Sequence, residues 1–278
     1  MIANTHYGYV GKSKAPKFTY TGNYNVREDG VVELLTSGTI VFLKPATIDL
    51  FLVGGGGSGV TPSYSQNSNT YGYAGGGGGN TVTARGVNVG TDAINVTIGE
   101  GGVAPASGGG RSPGKKTTFG TYSAEGATYP AGIDSSKRQK GGNGGSGGGG
   151  GVSGYSNYGT GGSDGADGER GSSKNTGGIG QGTTTREFGE PGGKLYAGGG
   201  GGGRYLVSST PVISPGGSGG GGTGAWSTTQ KALGSQAAGD GDANTGGGGG
   251  GGVFDKTSSG VLPGGSGGSG IVCFRTAK

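Results

Sequence analysis

Apolar residues in this chain gather into short runs separated by polar or glycine stretches, and none of the runs carries a helical period. Val31-Val32-Glu33-Leu34-Leu35, Thr39-Ile40-Val41-Phe42-Leu43 and Ile48-Asp49-Leu50-Phe51-Leu52-Val53 are β-branched and aromatic, and Ser37-Gly38 and Pro45 break them. They predict a small β-meander. Thr81 to Ala84, Ala93 to Ile98, Thr117 to Ser123 and Ile271 to Phe274 add further short segments bounded by glycine. No stretch predicts a helix longer than a turn or two. Strands are therefore expected at about 31–53, 81–98, 117–123 and 271–276. Residues 1–30 are polar, with Lys12, Lys14 and Lys17 ahead of an aromatic stretch from Phe18 to Tyr24, and end at the turn signal Asp29-Gly30. They are expected to form an N-terminal attachment arm, leaving 31–278 as the glycine-rich domain.

Between the strands lie blocks at Gly54–Gly57, Gly75–Gly79, Gly147–Gly151, Gly198–Gly203, Gly219–Gly222 and Gly246–Gly252. A flexible linker would be diluted with Ser. Here Phe51-Leu52-Val53 enters one block, Leu195-Tyr196-Ala197 enters another and Val253-Phe254 leaves the longest, so apolar anchors hold the blocks at their ends. That pattern implies glycine with a packing purpose. The matching conformation is the threefold extended polyglycine II helix, with a rise of about 3.1 Å per residue, so that Gly246–Gly252 would span roughly 22 Å. Such a helix has no internal hydrogen bonds and must bond to neighbours, which only glycine lets approach closely enough. Many blocks then imply a bundle.

Composition narrows the class. The chain of 278 residues holds 80 Gly and 10 Pro, yet the glycines come in blocks without a Gly-X-Y period, which excludes collagen. A hydrophobic fraction of 28% is small for an ordinary enzyme core of this length. The net charge of +5 is spread over a chain only 13% charged, so nucleic acid is not an expected partner. One Cys, Cys273, and one His, His6, supply neither an intramolecular disulfide nor a zinc cluster. The amino end lacks the apolar core of a signal peptide, and the greasy runs are too short to span a bilayer, so a soluble chain without membrane insertion is expected.

Glycine in this abundance generates motifs by chance. Gly109-Gly110-Arg111-Ser112-Pro113-Gly114-Lys115-Lys116 approaches a phosphate-binding loop, but Lys116 stands where Ser or Thr would bind Mg²⁺. Gly144-Gly145-Ser146-Gly147-Gly148 matches a nucleophile elbow, but His6 is the sole histidine available as base. Asp164 with Asp167, and Asp240 with Asp242, resemble parts of calcium loops, yet Thr245 and Gly251 occupy the positions that need Gly and a bidentate Glu. No metal, cofactor or enzymatic activity is expected.

What stands out is the vocabulary between the blocks. Thr61 to Tyr73 and Ser153 to Thr160 combine Tyr, Ser, Asn and Gly, the residues of recognition loops, and Trp226 lies in a similar stretch. Tyr64, Asn67, Asn69, Tyr71, Tyr73, Tyr155, Asn157, Tyr158 and Trp226 are the candidate receptor-binding residues. The alternative for each aromatic is that it caps the bundle ends against water.

The sequence resembles the glycine-rich domain proteins of phages and prophages, tail or minor structural proteins of the virion. The resemblance rests on Tyr20-Thr21-Gly22-Asn23-Tyr24, on Ile48 to Gly57, on Thr183 to Glu190 with Leu195 to Gly200, on Asn244 to Gly249 and on the ending Gly267 to Val272. It implies a component of a tail tip or tail fibre, assembled in the bacterial cytoplasm, that attaches to a host cell-surface glycan or protein. The implied partners also include other tail or baseplate proteins, met through the N-terminal segment, and further copies of the chain in a homo-oligomer. A more distant similarity, to the glycine-rich ectodomain region of two animal receptor tyrosine kinases, implies a jelly-roll or TNF-like β-sandwich carrying an inserted bundle of polyglycine II helices. The alternatives are a purely structural tail spacer or plug and, from another class, an ice-binding protein.

Overall fold

Residues 4–5, 15–63, 71–107, 109–130, 140–151, 185–206, 213–228, 234–255 and 260–278 are described by a computed structural model. The strands are β1 (Asn4–Thr5), β2 (Phe18–Tyr20), β3 (Tyr24–Val26), β4 (Val32–Leu34), β5 (Gly38–Phe42), β6 (Ala46–Val53), β7 (Tyr71–Gly72), β8 (Thr81–Val89), β9 (Ile94–Thr97), β10 (Thr117–Phe119), β11 (Tyr122–Ala124), β12 (Arg204–Leu206), β13 (Trp226–Thr228), β14 (Ser235–Gln236), β15 (Val253–Asp255), β16 (Gly260–Leu262) and β17 (Ile271–Thr276). The protein is mainly β, and no α-helix occurs among the described residues.

Period-two alternation places Phe18 and Tyr20 of β2 and Ile40 and Phe42 of β5 on one face of a six-stranded antiparallel sheet, ordered β1-β2-β5-β9-β10-β11. A five-stranded antiparallel sheet, β3-β4-β17-β6-β8, opposes it with Val32, Leu34, Ile48, Leu50, Leu52, Val272 and Phe274. Phe274 joins the layers, with its ring 5.5 Å from Phe18 and 5.6 Å from Phe42 in edge-on geometry. The two sheets form a sandwich, and β17 lies at its centre between β4 and β6.

Part of the amino-terminal stretch is built into the sandwich. Phe18 and Tyr20 are fully buried and Tyr24–Val26 pairs with β4, so residues 18–26 contribute a strand to each sheet. The Tyr20 hydroxyl donates to the carbonyl of Thr36 at 2.5 Å, which fixes this segment to the β4–β5 turn.

The second sheet is covered on its outer face too, which is why residues 50–53 of β6 read as an unbroken apolar run. Residues 185–197 cross that face as a strap, with a 3₁₀ turn at Glu187–Gly189. Phe188, Tyr196 and Ala197 bury against Val31, Phe51, Val53, Ile271 and Cys273. Burial raises the pKa of the Cys273 thiol, with nearby Glu187 adding to the shift.

Beyond Val53 the backbone bonds in a different way. Gly54, Gly57 and Val60 donate to Asn80, Gly77 and Ala74, while Gly55 and Ser58 donate to Lys115 and Ser112, and Gly56 and Gly59 donate to Gly268 and Gly265, all at 2.9 to 3.1 Å. Successive residues address three neighbours in rotation, a period of three. Segment 54–60 also accepts from Ala127, from Gly102 and from Gly249 and Gly252. Segment 247–252 repeats the scheme, donating to 198–201, 57–60 and Gly239 and accepting from 222–225, 73–76 and 265–268. These two segments are the centre of the glycine array. A Cβ on Gly56 would overlap the carbonyl of Gly247, and one on Gly249 the carbonyl of Gly265, so side chains are excluded by close approach.

Asn244 joins the array to the sandwich. Its backbone adopts φ 58°, and its side-chain amide donates to the carbonyls of Leu35 at 2.8 Å and Gly270 at 3.1 Å.

Candidate functional site

Glycine segments run between the sandwich and a common far layer. Gly54 follows β6 directly, whereas Gly252 donates to Val60, Tyr73 donates to Gly252, Gly203 donates to Tyr73 and Arg204 donates to Ala225, which gathers these residues at the opposite end. Two three-stranded sheets close that end, β16-β15-β7 and β12-β13-β14, and each continues glycine segments into regular pairing.

The β12-β13-β14 sheet brings three chemically distinct side chains into line. Arg204 is the register partner of Trp226 in a parallel pair, and Trp226 is the register partner of Gln236 in an antiparallel pair, so all three project from one face. The indole Nε1 of Trp226 donates to Oε1 of Gln236 at 3.1 Å, which sets the ring's orientation. Ser227, one residue along, is fully buried on the opposite face. Arg204 and Trp226 are half-buried and Gln236 is exposed. Partial burial lowers the pKa of Arg204 from its ordinary value.

Of the residues singled out from sequence, Trp226 is in this row, and Tyr71 is in β7 opposite Phe254. Tyr73 is 3% exposed and packs inside the array, so it is a framework residue and not part of a surface. Tyr64, Asn67, Asn69, Tyr155, Asn157 and Tyr158 lie outside the described residues, as do Asp164 and Asp167. Asp240 is exposed and accepts from the Ser266 backbone at 2.7 Å, and no metal-holding acidic or His/Cys cluster occurs among the described residues. Lys115 pairs with Glu100 at 2.6 Å and Lys116 with Glu125 at 2.8 Å, so the phosphate-loop-like stretch is built into sandwich-side ion pairs.

A second charged region, which sequence reasoning missed, lies where the strap crosses the outer sheet. A cavity of about 750 Å³ is bordered by Arg27, Asp29, Glu187, Glu190, Lys194, Arg275 and Lys278, among others. Arg27 pairs with Glu187 at 2.7 Å and Asp29 at 2.8 Å; burial disfavours its charge, but these hydrogen bonds outweigh that and raise its pKa. Arg275 pairs with Glu190 at 2.6 Å and Asp49 at 3.2 Å, and its guanidinium stacks 4.2 Å from the Phe188 ring. Opposite charges meet at each of these positions, and the arrangement fastens the strap to the sheet. Its pairs join residues as far apart as 49 and 275, so no local signal in the sequence could have found them.

A β-sandwich continued by a three-period glycine array defines a class of protein in which glycine is structural framework. The chain belongs to the glycine-rich domain family, whose model matches residues 35–277. The family match starts within the β-meander and runs past the end of β17, so it takes in both the array and most of the sandwich. No curated protein matches the chain.

Proposed function

We propose that the protein is a phage tail tip or tail fibre component that attaches to the host bacterial surface, with its glycine blocks folded as a bundle of polyglycine II helices. The period-three hydrogen bonding and the exclusion of side chains support the helical assignment, since a threefold helix turns successive amides toward three neighbours. The observation that carries the attachment reading is the pair of three-stranded sheets that closes the end opposite the sandwich, with Trp226 half-buried in one of them. A rigid array that fixes such an end lowers the ordering entropy lost on binding, as paratope frameworks do. The sandwich end would then face the particle, and several copies in a symmetric assembly would multiply weak contacts.

Burial of Tyr73 favours a second reading, a purely structural tail spacer in which aromatic residues only pack. Binding of fluorescently labelled protein to a panel of intact bacterial cells separates the two. Strain-selective labelling that is lost after enzymatic stripping of surface glycans or of surface proteins is the expected result and names the receptor class. Uniformly blank cells with a multimeric preparation would sink attachment and leave the spacer.

A further inference from the structure

The strap that crosses the outer sheet closes on itself. The amides of Glu187, Gly189, Glu190, Gly193 and Tyr196 donate to the carbonyls of Lys194, Arg186, Glu187, Glu190 and Thr185, all within the strap, and Arg186 and Leu195 form an isolated antiparallel bridge. Among the described residues, no backbone-to-backbone hydrogen bond joins 187–196 to the rest of the molecule, and such bonding resumes at Ala197, which donates to Thr245. The strap is a compact loop with joined ends, and it keeps its own hydrogen bonds wherever it sits.

Side chains hold it down. Phe188 and Tyr196 are buried on the sheet. Arg27 and Arg275 each grip a strap carboxylate with two hydrogen bonds, to Glu187 and Glu190, and Arg85 donates to the Phe188 carbonyl at 2.6 Å. The limb between the two aromatics overhangs open space, since Gly192, Gly193 and Lys194 border the cavity described above.

The closed position is also strained. Among the described residues, three other than glycine have left-handed backbone, and two of them belong to the strap, Phe188 at φ 52° and Ala197 at φ 58°. A side chain as bulky as Phe holds that conformation only where its surroundings impose it. We propose that the strap is a lid, which swings as one body about Ala197 while the sandwich and the array stay folded. Lifting releases the strain at Phe188 and Ala197 and breaks no strand pairing, and what it gives up is the burial of two aromatics and the grip of three arginines. The open state bares Phe51, Val53, Ile271 and Cys273, an apolar strip that the closed protein conceals. Exposed strips of this kind invite association, so the lid sets when the outer sheet face is available for contact. The lid does not depend on host attachment.

Cys273 is the single cysteine, it is fully buried, and its thiol lies 3.7 Å from the Tyr196 hydroxyl, so its alkylation reports uncovering of this face. The test is alkylation of the full chain by iodoacetamide at increasing urea, read by mass, with global unfolding measured in parallel. At low urea, alkylation should run at least about tenfold faster than the global unfolding equilibrium allows and should hardly depend on urea, because lifting a lid exposes little surface compared with unfolding. Glu190→Gln, which loosens the grip of Arg275, should speed it at least about fivefold in that range. Ile40→Val, a core change in the opposite sheet, should lower the melting temperature and leave low-urea alkylation as it is in the parent. Alkylation that tracks global unfolding at every urea concentration, or that Ile40→Val speeds as much as Glu190→Gln does, would overturn the lid.

Discussion

Gly249 occupies a position with no room for a side chain. It donates to Gly57, accepts from Gly76, and a Cβ placed on it would overlap the Gly265 carbonyl, a backbone atom that cannot turn aside. Gly90 differs, with nothing within 4 Å of an added Cβ and no left-handed backbone. Gly249→Val should therefore destabilise the fold by about 3 kcal/mol or more, or prevent folding, because several backbone bonds must shift together. Gly90→Ala should be neutral or stabilising by up to about 1 kcal/mol through the unfolded chain. Thermal unfolding of the pair decides: equal melting temperatures for Gly249→Val and the parent would show that the array is not close-packed. Sequence could predict that glycine has a packing role from the apolar anchors at block ends. It could not say which glycines are central, because that depends on which carbonyl faces each one across the array.

The strap of residues 185–197 shows how an element without regular structure is held. Phe188 and Tyr196 bury on the outer sheet face, and Glu190 binds Arg275 with Lys278 nearby. Chiefly through the hydrogen bond from Arg275, the Glu190 carboxyl is lowered from its ordinary 4.5 to about 2. A depressed carboxyl contributes stability that is complete above its unfolded value and is lost as pH falls through its folded value. The melting temperature should therefore drop between about pH 4.5 and about pH 2, and Glu190→Gln should be less stable than the parent above that window and show a shallower drop within it. Identical pH profiles for the two proteins would mean that Glu190 does not fasten the strap. Strands β5, β6 and β17 were legible in the sequence from their β-branched and aromatic runs. Strands β2 and β3 were not, because their short aromatic segments sit among lysines and turn residues that read as an arm. The alternation of Phe18 and Tyr20 about Thr19 was the available signal.

At the scale of the whole molecule, two kinds of backbone bonding share one chain. The sandwich is held by apolar side chains between two sheets, while the array is held by main-chain hydrogen bonds between segments distant in sequence. Ordering glycine forfeits more backbone entropy than ordering any other residue, so the array must be strongly cooperative to persist. The candidate site was legible only in part. Trp226 stood out by composition, but its alignment with Arg204 and Gln236 depends on strand register across residues 204–236, which no local pattern encodes. The most direct test of this architecture is amide hydrogen exchange in the intact protein, compared between glycine segments and sandwich strands. Amides of Gly54–Val60 and Gly247–Gly252 should exchange as slowly as those of β6 and β17, through global unfolding. Exchange of these glycine amides at the rate of an unstructured linker, with β6 and β17 still protected, would contradict a packed array and with it the account of how the far end is held rigid.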